Sequence, residues 1–322
     1  MNLAASLLGV GGAFGPAGDV CVELHPAAMD DACLDLLLEA GVTMLSVGVE
    51  SLSDRLLATI GRSHDASTAQ QAVSRAIARG FRSVNADLMF ALPGQTLEEL
   101  DTDLARLLDL GIDQISTYPI FGFPYTDLGA SLRLEKIARP RGDVIRRMLE
   151  LIARRAGEFG MKRCAVWSFI KPARHKFSSI TRHHYLGFGP SAASMLGGQF
   201  RVNTFSIEEY QSSLPGRPPV ALVLPVDHRL EMAYWFYWRT YEMEYSGADF
   251  QEVFGCDLES YFGDLLSAMR ALGLVTRVGG AYRVREGAAY WVHRVQNEYS
   301  LNYINRLWGQ CRNRAWPDEV RL

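Results

Sequence analysis

An α/β fold built on parallel strands, followed by a mostly helical C-terminal part, is predicted by three observations. A unit of one helix, a glycine and one strand recurs three times between residues 30 and 118. Another apolar strand, Val20 to Leu24, precedes the first unit. From Leu230 onward the pattern turns helical and closes with two short strands around Gly279-Gly280, the outline of a winged helix. Strands that alternate with helices pair in parallel through right-handed crossovers, as an open doubly wound sheet or as a barrel.

Each element has its own signal. Asp30 to Ala40 carries Leu34, Leu37 and Leu38 at helical spacing and stops at Gly41; the strand Thr43 to Val49 follows. Ala66 to Arg79 carries Ala69, Ala72, Val73, Ala76 and Ile77, stops at Gly80, and leads into the strand Ser83 to Phe90. Leu97 to Leu110 carries Leu100, Leu104, Leu107 and Leu108, stops at Gly111, and leads into Gln114 to Tyr118. A glycine suits the left-handed position just past a helix end. Thr96 and Glu99 form a capping box at the start of the third helix. Residues 139 to 160 read as a further helix with Ile145, Met148, Leu149 and Ile152 on one face. The prolines of 212 to 228 read as a linker, which predicts two domains, 1–227 and 228–322.

Parallel α/β sheets place their active edge at the carboxyl ends of the strands. Glu23 ends the first strand, Glu50 ends the second in SVGVES, and Asp87 lies late in the third in NADLMF. Three carboxylates from separate strands are therefore expected to converge on one rim.

Composition narrows the function classes. The chain has 322 residues, 21% charged, with a formal net charge of -3. Such a balance argues against a nucleic-acid binder that relies on bulk positive charge. Residues 229–322 carry 11 Lys plus Arg against 12 Asp plus Glu, which favours a packing role for the winged-helix outline. No run of about 18 apolar residues exists to span a membrane. Met1 to Gly12 is apolar but has no basic residues, so a helix and turn is expected there rather than a signal peptide, and the protein is expected to be cytoplasmic. The five cysteines, at 21, 33, 164, 256 and 311, form no C-x-x-C pair and read as buried thiols.

The segments VELHP, SVGVESLSDRLLATIGRSHD, NADLMFALPGQT and YLGFGPSAASMLGG together resemble the oxygen-independent coproporphyrinogen III oxidase-like branch of the radical-SAM enzymes, a branch that includes haem-chaperone-like relatives. The block FQEVFGCDLESYFGDLLSAMRALGLV resembles the family's terminal helical domain, and the resemblance runs from about residue 19 to about residue 295. It implies an incomplete parallel β/α (TIM-like) barrel, here missing its first strands, with a small C-terminal winged-helix-like helical domain. It implies S-adenosylmethionine and a [4Fe–4S] cluster as cofactors. By the same resemblance Glu23 lies near the sugar or amino end of the cofactor, and Glu50 hydrogen-bonds it. Arg62 meets its carboxylate, Asp87 its ribose hydroxyls, and the backbone near Phe121 its adenine. Arginine pairs with a carboxylate through a bidentate fork.

The chain departs from the family in one place above all. The CxxxCxxC triplet that holds the cluster does not occur, and residues 1–19 contain no cysteine. Three thiolates are needed to hold a cluster with one open iron. An apolar strand edge at Val20 to Leu24 favours a piece of a longer family member over a chain that has lost its cluster. A second departure is Ala193, where relatives often carry histidine.

The expected activity is that of a radical-SAM oxidoreductase acting on a porphyrinogen or related tetrapyrrole, with an electron-donor protein as partner if active. Propionate carboxylates call for basic residues, and Arg174, His175, Arg182 and His184 supply them in one stretch. Metal binding by His175, His183 and His184 is the weaker reading of that stretch, and no metal site is assigned. Two alternatives stand beside the enzyme: a haem-binding delivery protein that uses a histidine of this stretch as axial ligand, and a non-catalytic interaction protein that works through the C-terminal module.

Overall fold

The computed structural model describes residues 19–120, 140–178, 183–214 and 216–318, of which the side chains of 296–305 are left aside. Two compact units result: residues up to 122 together with 126–178, and residues 123–125 together with 179–322.

The first unit is a six-stranded sheet. Its strands are β1 (Cys21–Leu24), β2 (Met44–Glu50), β3 (Ser83–Phe90), β4 (Gln114–Pro119), β5 (Lys162–Ala165) and β6 (Ser168–Ile170), in the order β1-β2-β3-β4-β6-β5. The first four run parallel, in line with the repeated helix–strand unit. The last two form an antiparallel hairpin on β4, which the sequence reading did not anticipate. Only Val166 and Trp167 separate β5 from β6, and a connection that short cannot carry a crossover to a parallel neighbour.

The helices are α1 (Asp31–Glu39), α2 (Asp54–Thr59), α3 (Ala66–Ala78), α4 (Leu97–Asp109) and α5 (Gly142–Glu158). Side chains capture the free amides of α1, α3 and α4: Asp30, Asp65 and Thr96 accept from Cys33, Thr68 and Glu99, and the Thr96–Glu99 capping box is complete. A capping interaction of this kind contributes about 1 kcal/mol. Alternate strand residues point to opposite faces. One face, with Leu45, Val47 and Val49 of β2 and Val84, Ala86, Leu88 and Phe90 of β3, is buried. Buried residues of α3, α4 and α5, among them Val73, Leu104 and Ile152, complete this core. Burying each such side chain contributes about 1.5–3 kcal/mol.

In the second unit, α6 is Ile207–Ser213, and β7 (Ala193–Leu196), β8 (Gln199–Asn203) and β9 (Val220–Pro225) form an antiparallel sheet in that order. The 212–228 stretch is thus not a plain linker. Pro218 and Pro219 precede an edge strand and Pro225 ends it, at positions where a missing amide is tolerated. Gly187 packs against this sheet so closely that a Cβ there would stand 2.1 Å from the Ala193 carbonyl oxygen, which explains the glycine in YLGFG.

The chain continues through α7 (His228–Tyr241), β10 (Glu244–Ser246), α8 (Gly247–Phe254), α9 (Leu258–Ala271), β11 (Val275–Val278) and β12 (Ala281–Val284) to the long α10 (Ala289–Asn313). The strands pair as β10-β12-β11, antiparallel, around a helix–strand–helix–helix–strand–strand order, the arrangement of a winged helix. Trp235, Phe236, Tyr245, Phe250 and Leu258 are buried at its centre, with Phe236 stacked on Phe262 at 4.5 Å.

Candidate functional site

The inner, non-helical face of the six-stranded sheet is polar, and strand register sets it out in rows. Glu23, Ser46, Asn85 and Gln114 stand side by side on β1, β2, β3 and β4. Gly48, Asp87, Ser116 and Ser168 form the next row on β2, β3, β4 and β6. Hydrogen bonds join the rows. Ser46 donates to Asp87 Oδ2 at 2.6 Å, and Asn85 Nδ2 donates to Ser46 Oγ at 2.6 Å and to Asp87 Oδ1 at 2.9 Å. Ser116 donates to Asn85 Oδ1 at 3.0 Å, and Gln114 Nε2 donates to the Phe177 carbonyl at 2.8 Å. Gln114 Oε1 is buried with no partner among the described residues.

Glu50 stands at the carboxyl end of β2, where a bulge between Gly48 and Glu50 shifts the register. Its φ is +66°, a conformation that costs a non-glycine residue on the order of 1–3 kcal/mol and persists only where the surroundings hold it. Here they do. Arg62 pairs with its Oε1, and the Tyr118 hydroxyl donates to its Oε2 at 2.6 Å. Next in the chain, Ser51 donates to the buried Asp103 at 2.6 Å. Gly48 lies beside this carboxylate: a Cβ there would stand in van der Waals contact with Glu50 Oε1, at 3.4 Å.

A second chain of contacts ends beside Glu50. The Ala27 amide donates to His25 Nδ1 at 3.2 Å, His25 Nε2 lies 3.1 Å from His64 Nδ1, and His64 Nε2 lies 3.1 Å from the Val49 carbonyl. One pair of tautomers satisfies all three contacts: both rings neutral with the proton on Nε2. Burial, the neighbouring His64 and Arg62 push His25 below the ordinary imidazole range and favour that neutral form.

The electrostatics of the rim are unbalanced. Burial, followed by the charges of Glu23 and Glu50, raises the Asp87 carboxyl to about 7, against the pull of its bonds from Ser46 and Asn85. Burial raises Glu50 as well, against the Tyr118 hydrogen bond and the Arg62 charge, and it raises the Tyr118 hydroxyl too. Three carboxylates thus crowd one edge with a single paired arginine, an arrangement that favours a cationic ligand.

The structure therefore brings Glu23, Glu50, Arg62 and Asp87 together, with Arg62 and Glu50 bound to each other. Phe121 and Arg182 lie outside the described residues. Arg174 and His175 stand at the opposite, amino end of the strands. Arg174 holds Asp113 at 2.9 Å just ahead of β4, and His175 Nδ1 lies 3.8 Å from Asp19, just ahead of β1. His184 belongs to the second unit, 3.1 Å from Glu231. The sequence reading missed Tyr118, Ser46, Asn85, Gln114 and the His25–His64 pair. A signal for most of them was present: polar residues at every second position, as in Ser46-Gly48, Asn85-Asp87 and Gln114-Ser116-Tyr118.

The cysteines do not gather. Cys21 is on β1 and Cys164 on β5, the two opposite edges of the sheet, and Cys33 is on α1. Cys256 and Cys311 belong to the second unit. These five thiols do not fit a [4Fe–4S] cluster, which needs three at one place.

A mostly parallel β/α sheet with acidic residues at its carboxyl edge places the chain in the α/β class. Comparison with known proteins narrows the class. Residues 4–107 match the radical SAM superfamily. The chain is 27% identical to the heme chaperone HemW of Bacillus subtilis over 289 residues, 86% of this chain and 74% of that protein. It is 26% identical to the oxygen-independent coproporphyrinogen III oxidase of Paracoccus denitrificans over 182 residues, 55% of this chain and 40% of that one. It spans about half of other heme chaperones, 47% of one from Mycobacterium tuberculosis and 52% of one from Lactococcus lactis. In fold it is similar to the coproporphyrinogen III oxidase HemN of Escherichia coli, with a TM-score of 0.70 and 19% identity over 86% of this chain and 68% of that one. Residues 4–107 are thus similar to radical SAM domains, and the chain has similar proteins among heme chaperones and coproporphyrinogen oxidases. That domain implies S-adenosylmethionine and a [4Fe–4S] cluster as the family's cofactors.

Proposed function

We propose that the carboxylate rim binds S-adenosylmethionine and that the protein acts on a porphyrinogen or related tetrapyrrole, as a radical-SAM protein of the coproporphyrinogen oxidase-like type. One observation carries the reading: Glu23, Glu50 and Asp87 share one edge, and their mutual repulsion helps to raise Asp87. A sulfonium and an ammonium group would relieve that repulsion. Asp87 is the acceptor proposed for the ribose hydroxyls, Glu50 and Glu23 face the positive end of the cofactor, and the free nitrogens of the Arg62 guanidinium meet its carboxylate. The backbone near Phe121 remains the proposed adenine contact. The five cysteines do not fit the cluster, and a radical reaction would also need an electron-donor protein as partner.

Arg174 and His175 already face Asp113 and Asp19, so the propionate contact rests on Arg182. No helix among the described residues is long and apolar enough to cross a membrane. A cytoplasmic place, no nucleic-acid partner, and a separate module over 228–322 complete the proposal.

The test is calorimetric titration of the full chain with S-adenosylmethionine and with its uncharged thioether, S-adenosylhomocysteine. The sulfonium form is expected to bind at least tenfold more tightly, and Asp87→Asn to weaken both ligands, because they share the ribose that Asp87 is proposed to accept from. Equal affinity for the two ligands, or unchanged binding by Asp87→Asn, overturns the reading.

A second reading, haem binding and delivery, is favoured by the 289-residue stretch shared with a heme chaperone. Haem added to the protein is then expected to give a shifted Soret band, and an unshifted spectrum removes this reading.

A further inference from the structure

The second unit holds a cluster of a different character. His183 and His184 are adjacent in the chain, and both turn their Nε2 atoms to one oxygen of Glu231. The distances to Glu231 Oε1 are 3.4 Å from His183 and 3.1 Å from His184. One ligand atom from each of the three side chains lies within 4.8 Å of the other two. Glu231 is in the first turn of α7, and that turn is fixed by its Asp227 cap. His183 is held by its ring, which meets Phe254 at the end of α8 edge-on with centroids 5.2 Å apart.

We propose that His183, His184 and Glu231 bind a borderline divalent transition cation, with zinc as the representative ion. Two imidazoles and one carboxylate are a set that zinc and its neighbours accept, with three protein ligands leaving further positions open. The spacing fits. Bonds of about 2.0–2.2 Å at angles between octahedral and tetrahedral place ligand atoms about 2.8–3.6 Å apart, a range that holds both His–Glu distances here. Drawing all three atoms onto one ion asks for a further approach between the rings. The side chain of His184 is 51% exposed, whereas those of His183 and Glu231 are 19% and 18% exposed. His184 is therefore the ligand free to swing, and solvent reaches the open positions on its side.

The arrangement without an ion is incomplete as hydrogen bonding. Two rings share one acceptor oxygen, their centroids 4.1 Å apart. The site is independent of the carboxylate rim, since it shares no residue with it.

Equilibrium dialysis of the chelator-stripped full chain against zinc, with bound metal measured by atomic absorption, tests the proposal. One equivalent is expected to bind with a dissociation constant below about 10 μM. His184→Ala and Glu231→Gln are each expected to weaken it by about tenfold or more, and His175→Ala, outside the cluster, to leave it within twofold. A second measurement needs no substitution: zinc is expected to protect His183 and His184 from diethylpyrocarbonate, read by mass spectrometry. No uptake at 100 μM zinc, affinity unchanged by both cluster substitutions, or no protection of the two histidines overturns the proposal.

Discussion

The two ends of the six-stranded sheet treat charge in opposite ways. At the amino end Asp113 and Asp19 each have donors to meet. Asp113 accepts from Arg174 and from the Val84 amide, and Asp19 accepts from Arg82 at 2.8 Å. Lys171 caps the Gly111 carbonyl at 2.8 Å. At the carboxyl end Glu23, Glu50 and Asp87 share one arginine, Glu50 adopts a left-handed backbone conformation, and burial together with like charge raises Asp87 to about 7. Both ends are rich in polar residues, but among the described residues only the carboxyl end gathers three carboxylates around one arginine. A fold retains such imbalance where a ligand completes it, and removes it where the contacts serve the fold alone.

Substitutions at each end sharpen that contrast. The largest effect is expected for Asp87→Asn. The carboxyl titrates near 3.8 when unfolded and at about 7 in the fold, so the fold is favoured by its protonation. That advantage is whole below about pH 4 and is lost as pH rises through 7. Asp87→Asn is therefore expected to raise stability above pH 7, by on the order of 3 kcal/mol, and to change little at pH 4. Denaturant melts at pH 4.5 and pH 8 measure it; a variant destabilised equally at both values would break the comparison.

At the amino end, Asp113→Ala is expected to cost about 1–3 kcal/mol in denaturant melts, because it strands the Val84 amide in the core. Back at the rim, Tyr118→Phe removes the 2.6 Å donor to Glu50 and is expected to cost about 1 kcal/mol. Loss of that donor also moves the Glu50 carboxyl further up, so the cost grows as pH rises through its titration, which urea melts across pH 4–8 would reveal. The smallest effect is expected for Arg174→Ala, whose side chain is 51% exposed: below about 1 kcal/mol in the same melts, and less in high salt.

Much of this was legible from the residues. The apolar spacing of Leu100, Leu104, Leu107 and Leu108 and the Thr96–Glu99 pair announced α4 to within one residue. The same held for Ser83–Phe90, where the predicted and observed bounds coincide. Local signals succeed there because a capping hydrogen bond and an apolar stripe act within a few residues of chain. Val220–Pro225 was misread because prolines signal a break locally, while the pairing that makes it a strand comes from β8, some twenty residues earlier.

The sequence by itself determined the succession of strands and helices and put acidic residues at strand ends, since periodicity and parallel topology are enough for both. Tertiary structure alone decided which charges would meet. Tyr118 reaches Glu50 across 68 positions, Arg174 reaches Asp113 across 61, and Glu231 meets His184 across 47. The reason is physical: an ion pair or hydrogen bond depends on separation in space to within a few tenths of an ångström, and strand register and helix packing set that separation only once the whole unit has formed.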